Sequence, residues 1–275
     1  MFTLNCKGKL LTISEPNVMG ILNVTPDSFY EGSRMNDEMV LLKKAEQMIA
    51  DGAAILDIGG QSTRPDSIRI SQEEELKRVI PAIELIHQHF PDQIISIDTF
   101  YALVARAAVD AGASIVNDVS AGTIDPLLLE TVANAGVPYV LMHMLGNPQS
   151  MQRNPHYENV TLEVFDMLSF KMKALQQSGI KDIIIDPGFG FGKTIQHNFQ
   201  LLRELSFFKQ LETPLLVGLS RKGTVYKTLH TTAEKALNGT TVLHTMALLN
   251  GASILRVHDV KEAREAIQLY LAYKR

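Results

Sequence analysis

The chain of 275 residues is 45% apolar and 20% charged, which provides for a large core under an ordinary polar surface. A formal net charge of -4 gives no long-range attraction to nucleic acid or to an anionic membrane, so an anionic ligand must be held by a local group of donors. The one cysteine, Cys6, excludes an intrachain disulfide and fits a reducing, cytoplasmic setting.

In chain order, MFTLNCKGKLL lacks the basic start and long apolar core expected of a secretory leader. No apolar run approaches the ~18 residues of a membrane span. The segment TLNCKGKLLTIS predicts a small hairpin. From Val18 onward, apolar β-branched runs alternate with segments of helical period. Strands are expected at Val18–Val24, Ala53–Gly60, Ile94–Thr99, Ser114–Ser120, Pro138–His143, Asp182–Gly188, Pro214–Ser220 and Ser253–Asp259. Helices are expected at Asp37–Ala50, Gln72–Phe90, Ala102–Ala111, Pro126–Ala135, Tyr157–Ser178, His197–Gln210, Ala233–Leu249 and Lys261–Ala272. Each strand run is almost continuously apolar, the pattern of parallel strands covered on both faces. SQEEEL, from Ser71, reads as a capped, acid-rich helix start, and DGA, AGA, AGV and NGA place glycine where helices end. Eight such units in roughly 250 residues predict one α/β domain over 1–275, a (β/α)8 TIM barrel preceded by the hairpin. A doubly wound open sheet is the second choice, but it usually has fewer strands and a Gly-rich turn after the first.

A barrel gathers functional side chains at the C-terminal ends of its strands. There stand Asn23, then Ser62, Thr63 and Arg64, Asp98, Asn117 with Asp118, and His143. Asp186, then Ser220, Arg221 and Lys222, and finally Arg256 with His258 complete the set. Contact with solvent accounts for any single polar strand end. It does not account for Asp within IISIDT and IIIDPG, where an unpaired carboxylate is costly. Asp98, Asn117 and Asp186 are rich in acceptors and suit the N–H array of an aminopyrimidinone such as a pterin or guanine, the alternative being loop-capping acids. Arg64, Lys222, Arg256 and His258 are donors suited to phosphate or carboxylate. Arg256 and His258 alternate on one strand and are expected to point the same way. Ser220 to Gly223 falls where a helix should begin, adding backbone N–H groups to an anion pocket. DPGFGFGKT lacks the spacing of a phosphate loop, and Phe189 and Phe191 are either faces for an aromatic ligand or packing residues. The histidine spacing and the single cysteine speak against a transition metal. Mg2+ needs few protein oxygens, and Asn23 can supply one.

In sequence order, NVTPDSF, DIGGQSTRP, SIDT, VNDVS, MHMLGNPQSMQ, DPGFGFGKTIQHN, LSRKG and RVHDV resemble the motifs of the dihydropteroate synthase family, from Val18 to Val260. The resemblance implies a homodimeric pterin-binding TIM barrel acting in folate biosynthesis, the target of sulfonamides. Its reaction joins (7,8-dihydropterin-6-yl)methyl diphosphate to 4-aminobenzoate, giving 7,8-dihydropteroate and diphosphate. By motif it implies Asp98, Asn117, Asp186 and Lys222 on the pterin, with Asp98 and Lys222 catalytic. Asn23 is implied as the contact to Mg2+ on the diphosphate, and Thr63, Arg256 and His258 as phosphate holders. Phe29, Thr63, Arg64, Pro65, Phe189, Ser220 and Lys222 are implied around 4-aminobenzoate. Departure of diphosphate from an electron-rich pterin methylene leaves a stabilised cation, an SN1-like path that calls for no Ser-His-Asp arrangement. The chain departs from the family at Gln61, where Glu is usual, and at Asp66, where Gly is common. Tyr30, Glu31 and Ser33 replace Ser, Asp and Gly. Competing readings are a corrinoid-linked pterin methyltransferase, a Schiff-base aldolase using Lys222, and a barrel that only binds a pterin. The first has no use for Arg256 with His258 or for SRKG.

Overall fold

A computed structural model describes residues 1–24, 34–61, 69–146, 151 and 155–275, with backbone alone for 34–36. Phe29, Thr63, Arg64 and Pro65, as well as Tyr30, Glu31, Ser33 and Asp66, lie outside the described residues. The chain opens with strands β1 (Phe2–Cys6) and β2 (Lys9–Ile13), an antiparallel hairpin turning at Lys7 and Gly8. Both turn residues have positive φ, 53° and 88°, as a right-twisted two-residue hairpin turn demands.

Eight parallel strands follow: β3 (Asn17–Asn23), β4 (Ile55–Gly59), β5 (Ile94–Asp98), β6 (Ile115–Asp118), β7 (Tyr139–Met142), β8 (Ile183–Asp186), β9 (Leu216–Val217) and β10 (Ile254–Val257). Their order is β8-β7-β6-β5-β4-β3-β10-β9, and a parallel bridge from Ile185 to Leu215 joins the two edges and closes the TIM barrel. The helices are α1 (Arg34–Ala50), α2 (Gln72–His89), α3 (Ala102–Ala111), α4 (Leu128–Ala135), α5 (Val160–Gln177), α6 (Ile195–Arg203), α7 (Gly223–Thr228), α8 (Leu237–Leu249) and α9 (Val260–Lys274). The expected start of α2 is present: Ser71 Oγ accepts from Glu74 N–H, and three glutamates occupy the first turn, where the helix dipole favours them. The run expected as one helix from His197 to Gln210 is two elements. A Thr194/His197 capping box starts α6 two residues earlier, and the chain tightens into a 3-10 turn at Leu205–Leu211. The short α7 begins at Gly223, where the sequence places a helix start, although six residues are too few to show a helical period that would give its range.

Strand side chains alternate, and that alternation divides the core. Outward residues such as Leu22, Ile58, Ile97 and Leu141 pack under the helices. Inward, every barrel strand gives one residue to a lower apolar layer, from Met19 on β3 and Ile55 on β4 to Ile254 on β10. The hairpin residues Leu4, Cys6, Leu11 and Ile13 complete this layer and plug the bottom of the barrel. Two residues further along, the inward positions become Asp57, Ser96, Asn117, Asp186 and Arg256. Inside the barrel, these polar groups lie on the side of the C-terminal mouth.

Candidate active site

The mouth is organised around one guanidinium. Arg256 Nε donates to Asp57 Oδ2 at 2.6 Å and its Nη2 to Asp98 Oδ2 at 2.5 Å. Asn117 Nδ2 also donates to Asp57 Oδ2, at 3.1 Å. Register makes this possible: Asp98 pairs with Asn117 across β5 and β6 and with Gly59 across β4 and β5, while β10 lies beside β3. Asp57 is fully buried, and its Oδ1 has no hydrogen-bond partner among the described residues.

Burial raises Asp98 to a pKa of about 7. Arg256 and Lys222 oppose that rise, and the charges of Asp57 and Asp118 add to it. Burial also raises Asp186, against the pull of Lys222 and a 2.7 Å bond from Gly188 N–H. Burial alone would lower the pKa of Arg256, but Asp57 and Asp98 outweigh it and lock the guanidinium in its charged form.

Lys222 Nζ donates to the Phe189 carbonyl at 2.5 Å and lies 4.5 Å from the centre of the Phe191 ring. Burial lowers its pKa to about 8, with Asp186 as the main opposing charge. Gly190, at φ 81°, permits this approach, since a Cβ there would press on Lys222 Cδ at 3.1 Å. Phe189 itself is fully buried in the outer core, so its contribution to the mouth is its carbonyl. The ring that meets Lys222 belongs to Phe191, itself buried and grouped with Phe100, Val119, Met142 and Met151.

Several expected residues stand apart from the group assigned to them from sequence. Arg256, grouped from sequence with the anion donors, gives its Nε and Nη2 to Asp57 and Asp98, because buried opposite charges pair where the fold brings them together. Arg221 is structural: it grips Asp259 with two 2.8 Å bonds and donates to the carbonyls of Ala233 and Glu234. Asp118 is a loop cap, accepting from Ser120 and Gly122 N–H and from the Tyr139 hydroxyl, each at 2.7 Å. At the rim, Ser220 Oγ accepts from His258 N–H at 3.2 Å and meets His258 Nδ1 at 3.0 Å.

Asn23, half-buried at the end of β3, has its Oδ1 beside Gly59. A Cβ on Gly59 would sit 3.5 Å from that oxygen and 3.8 Å from Asp98 Oδ2, so the missing side chain leaves an oxygen-lined cradle. Reading strand ends alone passes over Asp57, although an aspartate inside AAILDIGG, two residues after the inward Ile55, is the signal that points to it. Also passed over is Glu75, fully buried on α2 and receiving Gln61 Nε2 at 2.8 Å. Burial, then the charge of Asp98, raises Glu75 to about 8.

Buried acids and an amide surround a guanidinium and a lysine at the mouth of a TIM barrel, the end at which such barrels carry their active sites. Residues 19–258 match the family described as pterin binding enzyme. The dihydropteroate synthase of Escherichia coli (strain K12) is 44% identical over 265 residues, spanning 96% of this chain and 93% of that protein. Yersinia pestis dihydropteroate synthase, solved as a sulfonamide drug complex, superposes with a TM-score of 0.93 at 41% identity, covering 99% of both chains. The Xanthomonas albilineans enzyme with 4-aminobenzoic acid gives a TM-score of 0.92 at 41% identity, covering 99% of this chain and 98% of that one. The chain belongs to the dihydropteroate synthase family.

Proposed function

We propose that this transferase joins (7,8-dihydropterin-6-yl)methyl diphosphate to 4-aminobenzoate at the mouth of the barrel, with residues 1–275 acting as a single domain. The observation that carries the assignment of roles is the cluster of Asp57, Asp98 and Asn117 on the Arg256 guanidinium, with Asp186 and Lys222 alongside. A pterin edge offers N–H donors in a plane, and these acids with Asn117 offer matching acceptors. Asp57 Oδ1, fully buried and without a hydrogen-bond partner among the described residues, backs this group with further negative charge. Phe191 and the apolar residues around it suit the faces of the ring.

As the bond to diphosphate breaks, positive charge grows on the pterinylmethyl group, and Asp98 and Asp57 stabilise it electrostatically. Arg256, Lys222 and His258 are the donors for the charge on the departing diphosphate, with Thr63 joining them by motif. The amine of 4-aminobenzoate then attacks the methylene carbon without a strong base. Ser220, Lys222 and the motif residues Phe29, Arg64 and Pro65 are proposed around it, with the Phe189 backbone.

The cradle at Gly59 fits Mg2+. Among the described residues no group of three or more His, Cys, Asp or Glu could cage a metal, whereas Mg2+ needs only one or two protein oxygens beside phosphate and water. Asn23 Oδ1 would hold it, and when bound it would spread the negative charge of the diphosphate.

Val242, Met246 and Leu249 are exposed at helical spacing on α8, and Leu269 and Tyr273 on the adjoining α9. These residues favour a homodimer through that face. Among the described residues no helix is long and apolar enough to cross a membrane. The buried free thiol of Cys6 fits a reducing, cytoplasmic setting.

The test is diphosphate release by purified protein with Mg2+. Release that depends on both dihydropterin diphosphate and 4-aminobenzoate is expected, and none sinks the assignment. Asp98→Asn should lower turnover far more than it lowers thermal stability, and equal losses would make Asp98 structural.

A further inference from the structure

Lys193 is a buried lysine that the reaction does not use. It is only 3% exposed, and its ammonium is enclosed by groups from two loops. Nζ donates to the Gly188 carbonyl at 2.9 Å and the Phe191 carbonyl at 3.1 Å, and lies 2.9 Å from His143 Nδ1. With the His143 carbonyl at 3.4 Å as a longer fourth contact, the three N–H donors of the ammonium are satisfied, while burial lowers the Lys193 pKa to about 7. His143 is fit to accept, since burial and then the neighbouring Lys193 lower its pKa to about 3 and keep the ring neutral.

The carbonyls that Lys193 holds belong to the glycine loop 188–193, and the other side of that loop meets Lys222. Phe189 presents its carbonyl to Lys222 Nζ, and Phe191 presents its ring. The loop cannot be supported by side chains of its own glycines. A Cβ on Gly188 would lie 1.8 Å from the His143 carbonyl oxygen, and one on Gly192 would lie 2.7 Å from Leu145 Cβ. The loop lies flush against the end of β7, and the ammonium beneath it is what ties Gly188 and Phe191 to His143.

We propose that Lys193, with His143, is a positioning residue for Lys222: it fixes from below the carbonyl and ring that hold the site lysine in place. The proposal rests on the reading of Lys222 as a site residue. Lys193→Ala removes a propylammonium-sized group and leaves two carbonyls and an imidazole nitrogen facing a cavity. Lys222 then loses its fixed partners. Its acetylation rate, followed by mass spectrometry against the exposed Lys43 and Lys77, should rise about fivefold, and affinity for 6-hydroxymethylpterin should fall about tenfold, as misplacement of a positioned group implies. Added propylammonium at pH 6, below the lowered pKa of Lys193 of about 7, should reverse both changes and propanol neither, because three acceptors face the three N–H donors of the cation.

A folded Lys193→Ala protein with an unchanged Lys222 rate overturns the proposal, as does rescue by propanol. If that variant does not fold, His143→Leu removes one acceptor and should raise the Lys222 rate about twofold. No change in it would be equally fatal. Neither readout needs turnover, so a wild-type protein that made no dihydropteroate would count against the function and leave this result standing.

Discussion

Asp57→Asn isolates the charge at the centre of the mouth. The amide keeps the shape and leaves an oxygen to accept from Arg256 and Asn117, so the change is electrostatic to first order. Two carboxylates sharing one guanidinium lie roughly 5 Å apart, and at an effective dielectric of about 20 their repulsion is about 3 kcal/mol, or about two pH units. Burial is the main cause of the elevated Asp98 pKa of about 7, and Asp57 adds to it. Removing Asp57 therefore makes Asp98 easier to ionise. If ionised Asp98 is required, the acidic limb of kcat/KM should move down from near pH 7 towards about pH 5 in the variant. Titrations of the substrates are common to both proteins and cancel in the comparison. Thermal stability should fall by only about 1–2 kcal/mol, as a charge-assisted bond becomes a neutral one. An acidic limb that stays in place, or moves upward, would refute both the role of Asp98 and its coupling to Asp57.

Glu75→Gln should change how stability depends on pH. The folded pKa of about 8 lies above the ordinary carboxyl value of about 4.5, so the contribution of Glu75 to stability is fullest below pH 4.5 and is lost as pH rises towards 8. The glutamine variant lacks that loss, and its urea midpoint relative to wild type should climb between about pH 5 and 8, by up to about 5 kcal/mol in stability; parallel curves would contradict a buried neutral acid. Gly188→Ala places a methyl group 1.8 Å from the His143 carbonyl oxygen, at a φ of 73° that alanine resists. A loss of about 2–4 kcal/mol is expected, seen as a melting temperature lower by roughly 5–12 °C, together with weaker pterin binding. A variant with wild-type melting and affinity would show that the loop is not held where it lies.

Much of the fold was legible because the signals are local. Continuous apolar runs, glycine at helix ends and the Ser71 cap each depend on residues within a few positions, and they predict eight βα units on their own. The candidate site was legible where it coincides with strand ends, as at Asp98, Asn117, Asp186 and Lys222. Asp57 was hidden by attention to strand ends. The parity of β4, which puts Ile55, Asp57 and Gly59 on one face, contains that information.

Other features depended on closure of the barrel. Arg256 is separated from Asp57 by 199 positions and from Asp98 by 158, and no local pattern shows that it bonds both. Arg221, beside Lys222 in sequence, turns away to Asp259, while Phe189, beside the glycines, turns into the core. Lys193 finds His143, fifty positions earlier, only when β7 and β8 lie side by side. The sequence by itself determined the elements, their alternation and the residue types at the mouth, through short-range periodicity and the cost of burying charge. Only the tertiary structure decided which acid meets which cation, because strand register and barrel closure set those distances.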